Sequence, residues 1–146
     1  MPVSLLDVNV LVALLSADSL FHDAAQKWFL ANAYNGWATC PMTQAGFVRI
    51  ICNPAVSRNR IHPSQAIEVL EANLGHPSHK FWPDDLSAAK ATAPFQRHLA
   101  GHQQITDAYL LGLALKHRGQ LVTFDKAVQA LATAAEMDHL VFTIRK

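Results

Sequence analysis

Val3-Ser4-Leu5-Leu6-Asp7-Val8-Asn9-Val10-Leu11, running on to Leu15, is the stretch that decides how this chain is read. Val3 to Leu6 is a short apolar run suited to a strand buried on both faces. A helix is expected directly after it, over Asn9 to Leu15. Asp7 stands between the two with apolar neighbours on both sides. An aspartate there falls at the carboxyl end of a buried strand, the edge at which α/β sheets bind ligands. Leu121-Val122-Thr123-Phe124-Asp125 repeats the arrangement, with a strand over 121–124 and a helix expected from Lys126 to Ala132. Two strands thus deliver an acid to the same edge of one sheet.

The residues between these units alternate in the same way. Helices are expected over His22 to Ala33, where Ala25, Trp28 and Phe29 share a face as core or interface contacts, and from Pro41 and Thr43 until Asn53-Pro54 stops the turn. Further helices are expected over Pro63 to Leu74, ended by Gly75, over Asp84 to Ala93, closed by Pro94, and over Ile105 to His117, capped by Gly119. Short strands are expected at Trp37 to Cys40, His79 to Trp82 and Leu140 to Ile144. Strands alternating with helices imply an α/β sandwich with a mainly parallel central sheet. No repeat, low-complexity tract or linker interrupts the 146 residues, so 1–146 is read as a single domain.

With 51% apolar and 16% charged residues the chain is expected to fold compactly, and its net charge of +1 neither demands nor excludes a nucleic-acid partner. Leu5 to Leu15 is too short for a membrane span and is broken by Asp7 and Asn9. No basic stretch precedes it, so a cytoplasmic protein without a secretory signal is expected. Cys40 and Cys52 lack metal-type spacing and read as free thiols. The pairs His76/His79 and His98/His102 are interrupted by Pro77 and Gly101, which argues against zinc.

A third acid completes the pattern. Asp107 lies in the first turn of the 105–117 helix and shares a face with Leu110, Leu111 and Ala114. Any one of the three acids alone fits a structural role, such as stabilising a helix N-terminus. Together they repel, and a divalent cation is the usual reason to tolerate such convergence. Oxygen ligands without clustered cysteines favour Mg²⁺ or Mn²⁺. Such an ion suits metal-assisted hydrolysis of a phosphate ester. No Gly-rich phosphate loop or serine or cysteine nucleophile arrangement competes with that reading.

These stretches resemble the motifs of PIN domains, and of VapC toxins in particular. Leu5-Leu6-Asp7-Val8-Asn9-Val10-Leu11 resembles the first acidic motif, Thr106-Asp107-Ala108-Tyr109-Leu110-Leu111 the third, and Thr123-Phe124-Asp125 the fourth. Cys40 to Arg49 with Asn53-Pro54, His79 to Asp85, and Gly101-His102 resemble a VapC subgroup, so the likeness spans nearly the whole chain. It implies a PIN-like three-layer α/β/α sandwich and a Mg²⁺- or Mn²⁺-dependent endoribonuclease that stops translation. It also implies a cognate antitoxin and a homodimer. Asp7, Asp107 and Asp125 become metal ligands by this resemblance, with Asn9 and Thr123 holding their geometry. Many PIN domains carry glutamate where this chain has Gln44, which removes a negative charge. A site holding one ion firmly, with any second arriving together with RNA phosphate, is therefore expected.

Arg49, Arg58 and Arg60 are candidate RNA contacts, weighed against a solvated helix edge and a solvated loop. A receiver-like domain would want adjacent acids after its first strand, and a haloacid-dehalogenase-type phosphatase a second aspartate where Asn9 stands. The remaining alternative is a non-catalytic PIN-like module that binds RNA or a partner without cutting.

Overall fold

The computed structural model describes residues 1–57 and 60–146. Five short strands, β1 (Ser4–Leu6), β2 (Trp37–Thr39), β3 (His79–Phe81), β4 (Gln120–Thr123) and β5 (Val141–Thr143), form one sheet in the order β3-β2-β1-β4-β5. Every pairing is parallel. The helices are α1 (Val8–Leu15), α2 (His22–Asn32), α3 (Pro41–Ile51), α4 (Pro63–Leu74), α5 (Ala88–Thr92), α6 (Ile105–Lys116) and α7 (Lys126–Ala134).

Strand alternation divides the apolar side chains between two cores. Leu5, Ala38 and Leu121 point into a core closed by α5, α6 and α7. Leu6, Trp37 and Val122, their immediate neighbours, point into one closed by α1 to α4. The result is the expected three-layer α/β/α sandwich, with a sheet buried on both faces as its continuous apolar strands require. The chain winds from β1 outward to β3, then crosses back to place β4 and β5 on the other side of β1. The order therefore reverses between β1 and β4. That switch point opens a crevice beyond the carboxyl ends of these two strands.

Three expectations need correction. Asp84 and Asp85 precede the helix instead of opening it: α5 begins at Ala88, with Ser87 Oγ accepting from Lys90 N. Pro94 does not close that segment but sits in the first turn of a 3₁₀ helix over Ala93–His98, where its missing N–H costs nothing. The left-handed residue that ends α6 is Arg118 (φ 53°), not Gly119. Gly119 N donates to Ala114 O and Arg118 N to Leu115 O, a Schellman pair. Glycine is needed at 119 for space, since a Cβ there would stand 2.6 Å from both Val3 O and the Trp82 ring.

Candidate active site

Asp7 and Asp125 are held by the helices they start. Asp7 is the N-cap of α1, with Oδ1 accepting from Val8 N at 2.8 Å. Asp125 is the N-cap of α7, with Oδ1 accepting from Ala127 N at 2.9 Å. Both satisfy amides that a helix N-terminus leaves unpaired. They stand at the ends of β1 and β4, on either side of the switch point.

Thr123, fully buried at the end of β4, ties these ends together. Its hydroxyl donates to Asp7 Oδ2 at 2.7 Å and accepts from Asn9 Nδ2 at 3.2 Å and Asp125 N at 3.1 Å. A hydroxyl has one proton and two lone pairs, so its whole bonding capacity is spent on this edge. Asn9 completes the latch by accepting from Phe124 N with its Oδ1.

Asp107 reaches the same edge from the face opposite α1. It lies in the first turn of α6, whose Ala108 to Ala114 segment is buried all round between the sheet, α5 and α7. Gly112 permits that depth: a Cβ there would overlap the Ala91 carbonyl. The apolar stripe expected from the sequence is thus a wholly buried core helix, with Asp107 at its emerging end. No donor among the described residues bonds its carboxylate. Burial, then repulsion from Asp7 and Asp125, pushes its pKa up to about 6. Burial also raises Asp7, against the Thr123 and Val8 hydrogen bonds that lower it, with Asp125 adding repulsion. The three carboxylates are therefore close enough to feel one another, and among the described residues no Lys or Arg forms an ion pair with them. Among the described residues no three or more His, Cys, Asp or Glu side chains form a ready ion-holding group.

A family model described as "PIN domain" matches residues 4–134. The chain belongs to the PIN-domain family. Within it, Ribonuclease VapC39 of Mycobacterium tuberculosis is 42% identical over 137 residues, covering 94% of this chain and 99% of that protein. Ribonuclease VapC38 of the same organism is 45% identical over 129 residues, covering 88% and 89%. Among solved structures, VapBC2 from Rickettsia felis, bound to a DNA fragment from its promoter, superposes with a TM-score of 0.68. At 13% identity over 98% of this chain and 99% of that one, it speaks to the fold.

The other residues singled out from the sequence take varied places in this PIN domain. Gln44, on α3, donates from Nε2 to Thr39 Oγ1 at 2.9 Å, and Thr39 Oγ1 also meets His79 Nε2 at 2.8 Å. Thr39 is the last residue of β2, the strand beside β1 in the sheet. Arg49 and Arg60 are exposed and without polar partners among the described residues, and Arg58 lies outside those residues. His76 and His79 flank Trp37, with ring centroids 5.9 and 4.7 Å from it. Trp28 is buried in the core beside α1, and Phe29 packs edge-on to Trp37. Both cysteines are free, Cys40 buried and Cys52 half-buried. No helix is long and apolar enough to cross a membrane among the described residues.

Sequence reasoning passed over Lys126, Arg145 and Lys146, which line a groove opening at Asn9 and Asp125. A lysine directly after the second strand-end acid and a basic pair ending the last strand unit were the available signals.

Proposed function

We propose that this chain is a single PIN domain over residues 1–146 acting as a Mg²⁺- or Mn²⁺-dependent endoribonuclease, the toxin of a toxin–antitoxin module. The observation that carries the reading is the junction of Asp7, Asp107 and Asp125 at the switch point. Asp107 there has no donor among the described residues, and burial, then repulsion from Asp7 and Asp125, raises its pKa to about 6. The likeness to VapC ribonucleases supports reading this junction as the site of RNA hydrolysis.

The chemistry of the three carboxylates suits a hard divalent ion, around which they would have to draw together, since among the described residues they do not yet form a ready ion-holding group. Three carboxylates offer only oxygen, and each oxygen engaged by Val8, Thr123 or Ala127 keeps a further lone pair. Asp7, Asp107 and Asp125 would hold the ion, which when bound supplies Lewis acidity that lowers the pKa of water and offsets charge on the phosphate. The chain's own part is preorganisation. Thr123 and Asn9 fix the Asp7 carboxylate, and Thr123 fixes the backbone that carries Asp125. The rigid α6 presents Asp107 without letting it swing to solvent. Attack of water on phosphorus with the 3′-oxygen leaving, and taking up a proton, gives 5′-phosphate and 3′-hydroxyl ends.

Gln44 is neutral and its amide is engaged with Thr39, which supports one firmly held ion. Arg49, Arg58 and Arg60 remain proposed RNA contacts. A cognate antitoxin, a homodimer and action on RNA in the cytoplasm belong to the same reading. The likeness in fold to VapBC2, solved on promoter DNA, supports the antitoxin partner.

Purified protein freed of antitoxin should cut total cellular RNA at discrete sites with Mg²⁺ or Mn²⁺ and not in EDTA, and the products should carry 5′-phosphates. A 2′,3′-cyclic phosphate would mean attack by the ribose hydroxyl and would overturn the water route. Absence of cutting in every metal, with RNA still bound, would favour the non-catalytic module.

A further inference from the structure

Beside the aspartate junction lies a groove of about 1020 Å³ that none of the site's residues requires. It opens at Asn9 and Asp125 and runs between the start of α2 and the end of β5. Phe21 and Phe124, with ring centroids 5.4 Å apart, form its apolar floor. Lys126, Arg145 and Lys146 line its walls, and among the described residues Asp125 is the one acid along it. All three cations are exposed. Lys146 Nζ is drawn over the Phe21 ring, 4.3 Å from its centroid, which keeps that charge at the wall instead of free in solvent. The ion pair among the described residues, Lys116 with Asp85, lies elsewhere, so none of these cations is in a close ion pair among the described residues. A second hollow, between α7 and β5, shares Lys126, Thr143 and Arg145, so the positive track continues past the sheet edge.

We infer that this groove is the track for a single RNA strand, with Lys126, Arg145 and Lys146 holding successive phosphates on the way to Asp125. The inference rests on the ribonuclease reading and locates its substrate path. An unneutralised basic wall over an apolar floor matches a polyanion whose units carry an aromatic face. On a chain of net charge +1, concentrating cations in one groove is also how an otherwise balanced surface attracts RNA. The cations stand beside the carboxylates rather than among them. They therefore govern binding, while the three aspartates govern the chemical step.

The test uses a 5′-labelled 12-nucleotide single-stranded RNA. Binding is followed by anisotropy in EDTA across a salt series, and single-turnover cleavage is measured with Mg²⁺. The variant is Lys126→Ala/Arg145→Ala/Lys146→Ala. Lys80→Ala/Lys90→Ala/Arg97→Ala, drawn from exposed cations on β3, on α5 and in the following 3₁₀ turn, removes the same charge elsewhere. The groove variant should bind at least about tenfold more weakly at 0.1 M salt, and its log K against log salt slope should flatten by about 2, roughly 0.7 for each phosphate no longer neutralised. Its cleavage at sub-saturating RNA should fall in step with its binding. Binding and slope equal to wild type, or equal losses in both triple variants, would overturn the track. Unchanged RNA binding with loss of binding to hexaglutamate would assign the groove to an acidic polypeptide instead. If wild type cuts nothing in any metal yet the groove variant alone loses binding, the nuclease reading falls and the track stands. If wild type cuts and the groove variant binds and cuts equally well, the track falls and the nuclease reading stands.

Discussion

Asp107 carries the sharpest conflict between stability and its proposed role as a metal ligand. Its carboxylate is half-buried, has no donor among the described residues and faces two other acids, so its pKa of about 6 lies above the ordinary 3.8. A group whose folded pKa is raised binds protons more readily when folded, so it makes the ion-free protein more stable as pH falls from above 6 toward 4. The ion-free wild type should therefore gain melting temperature between pH 7.5 and pH 5 relative to Asp107→Asn, and the asparagine variant should be the more stable of the two at pH 7.5. Thermal melts in EDTA at both pH values check this, and the reverse order would mean that Asp107 has a donor or counter-charge in solution. Thr123→Val should act in the opposite direction. It leaves the buried Asp7 carboxylate and the Asn9 amide each short of a bond, and should cost about 1–3 kcal/mol in urea unfolding.

Helices and strands differ in how plainly the sequence announced them. β1-Asp7-α1 and β4-Asp125-α7 were legible because a strand buried on both faces reads as an unbroken apolar run, and an aspartate directly after it both caps the next helix and faces the crevice. The Asp84 to His98 segment was not, because propensity cannot tell a helix-opening acid from one in a preceding loop, nor a proline that ends a helix from one that opens a 3₁₀ turn. The end of α6 was misread for a related reason: Gly119 looked like a left-handed cap, whereas tertiary crowding by Val3 and Trp82 fixes it and Arg118 takes the strained conformation. Arg118→Gly should accordingly stabilise the protein by up to about 1 kcal/mol, measured by urea unfolding. Gly112→Ala drives a methyl onto the Ala91 carbonyl and should cost at least about 3 kcal/mol, with Asp107 displaced and cleavage lost along with stability.

Across the whole molecule, the sheet order turns two local patterns into one site. Neither Asp7 nor Asp125 is unusual alone, since each caps a helix. The reversal between β1 and β4 makes them neighbours, and α6, crossing the other face, adds the third acid. Pairing of strands so distant in sequence leaves no local trace, so sequence could nominate the three acids and, through the family resemblance, Asn9 and Thr123 beside them, but not the hydrogen bonds that join them or the basic groove alongside. The assembled edge is a concentration of negative charge that the fold tolerates at a cost, and an ion bound only by the folded state should offset that cost by mass action. The most direct measurement is a Mn²⁺ titration of wild type, Asp7→Asn, Asp107→Asn and Asp125→Asn by calorimetry, with RNA cleavage measured on the same preparations. One tight ion per wild-type chain is expected, at least tenfold weaker binding in each variant, and cleavage lost in all three. Two tight ions in the wild type would remove the one-ion account, and variants that bind Mn²⁺ and cut RNA like the wild type would contradict the three-aspartate site itself.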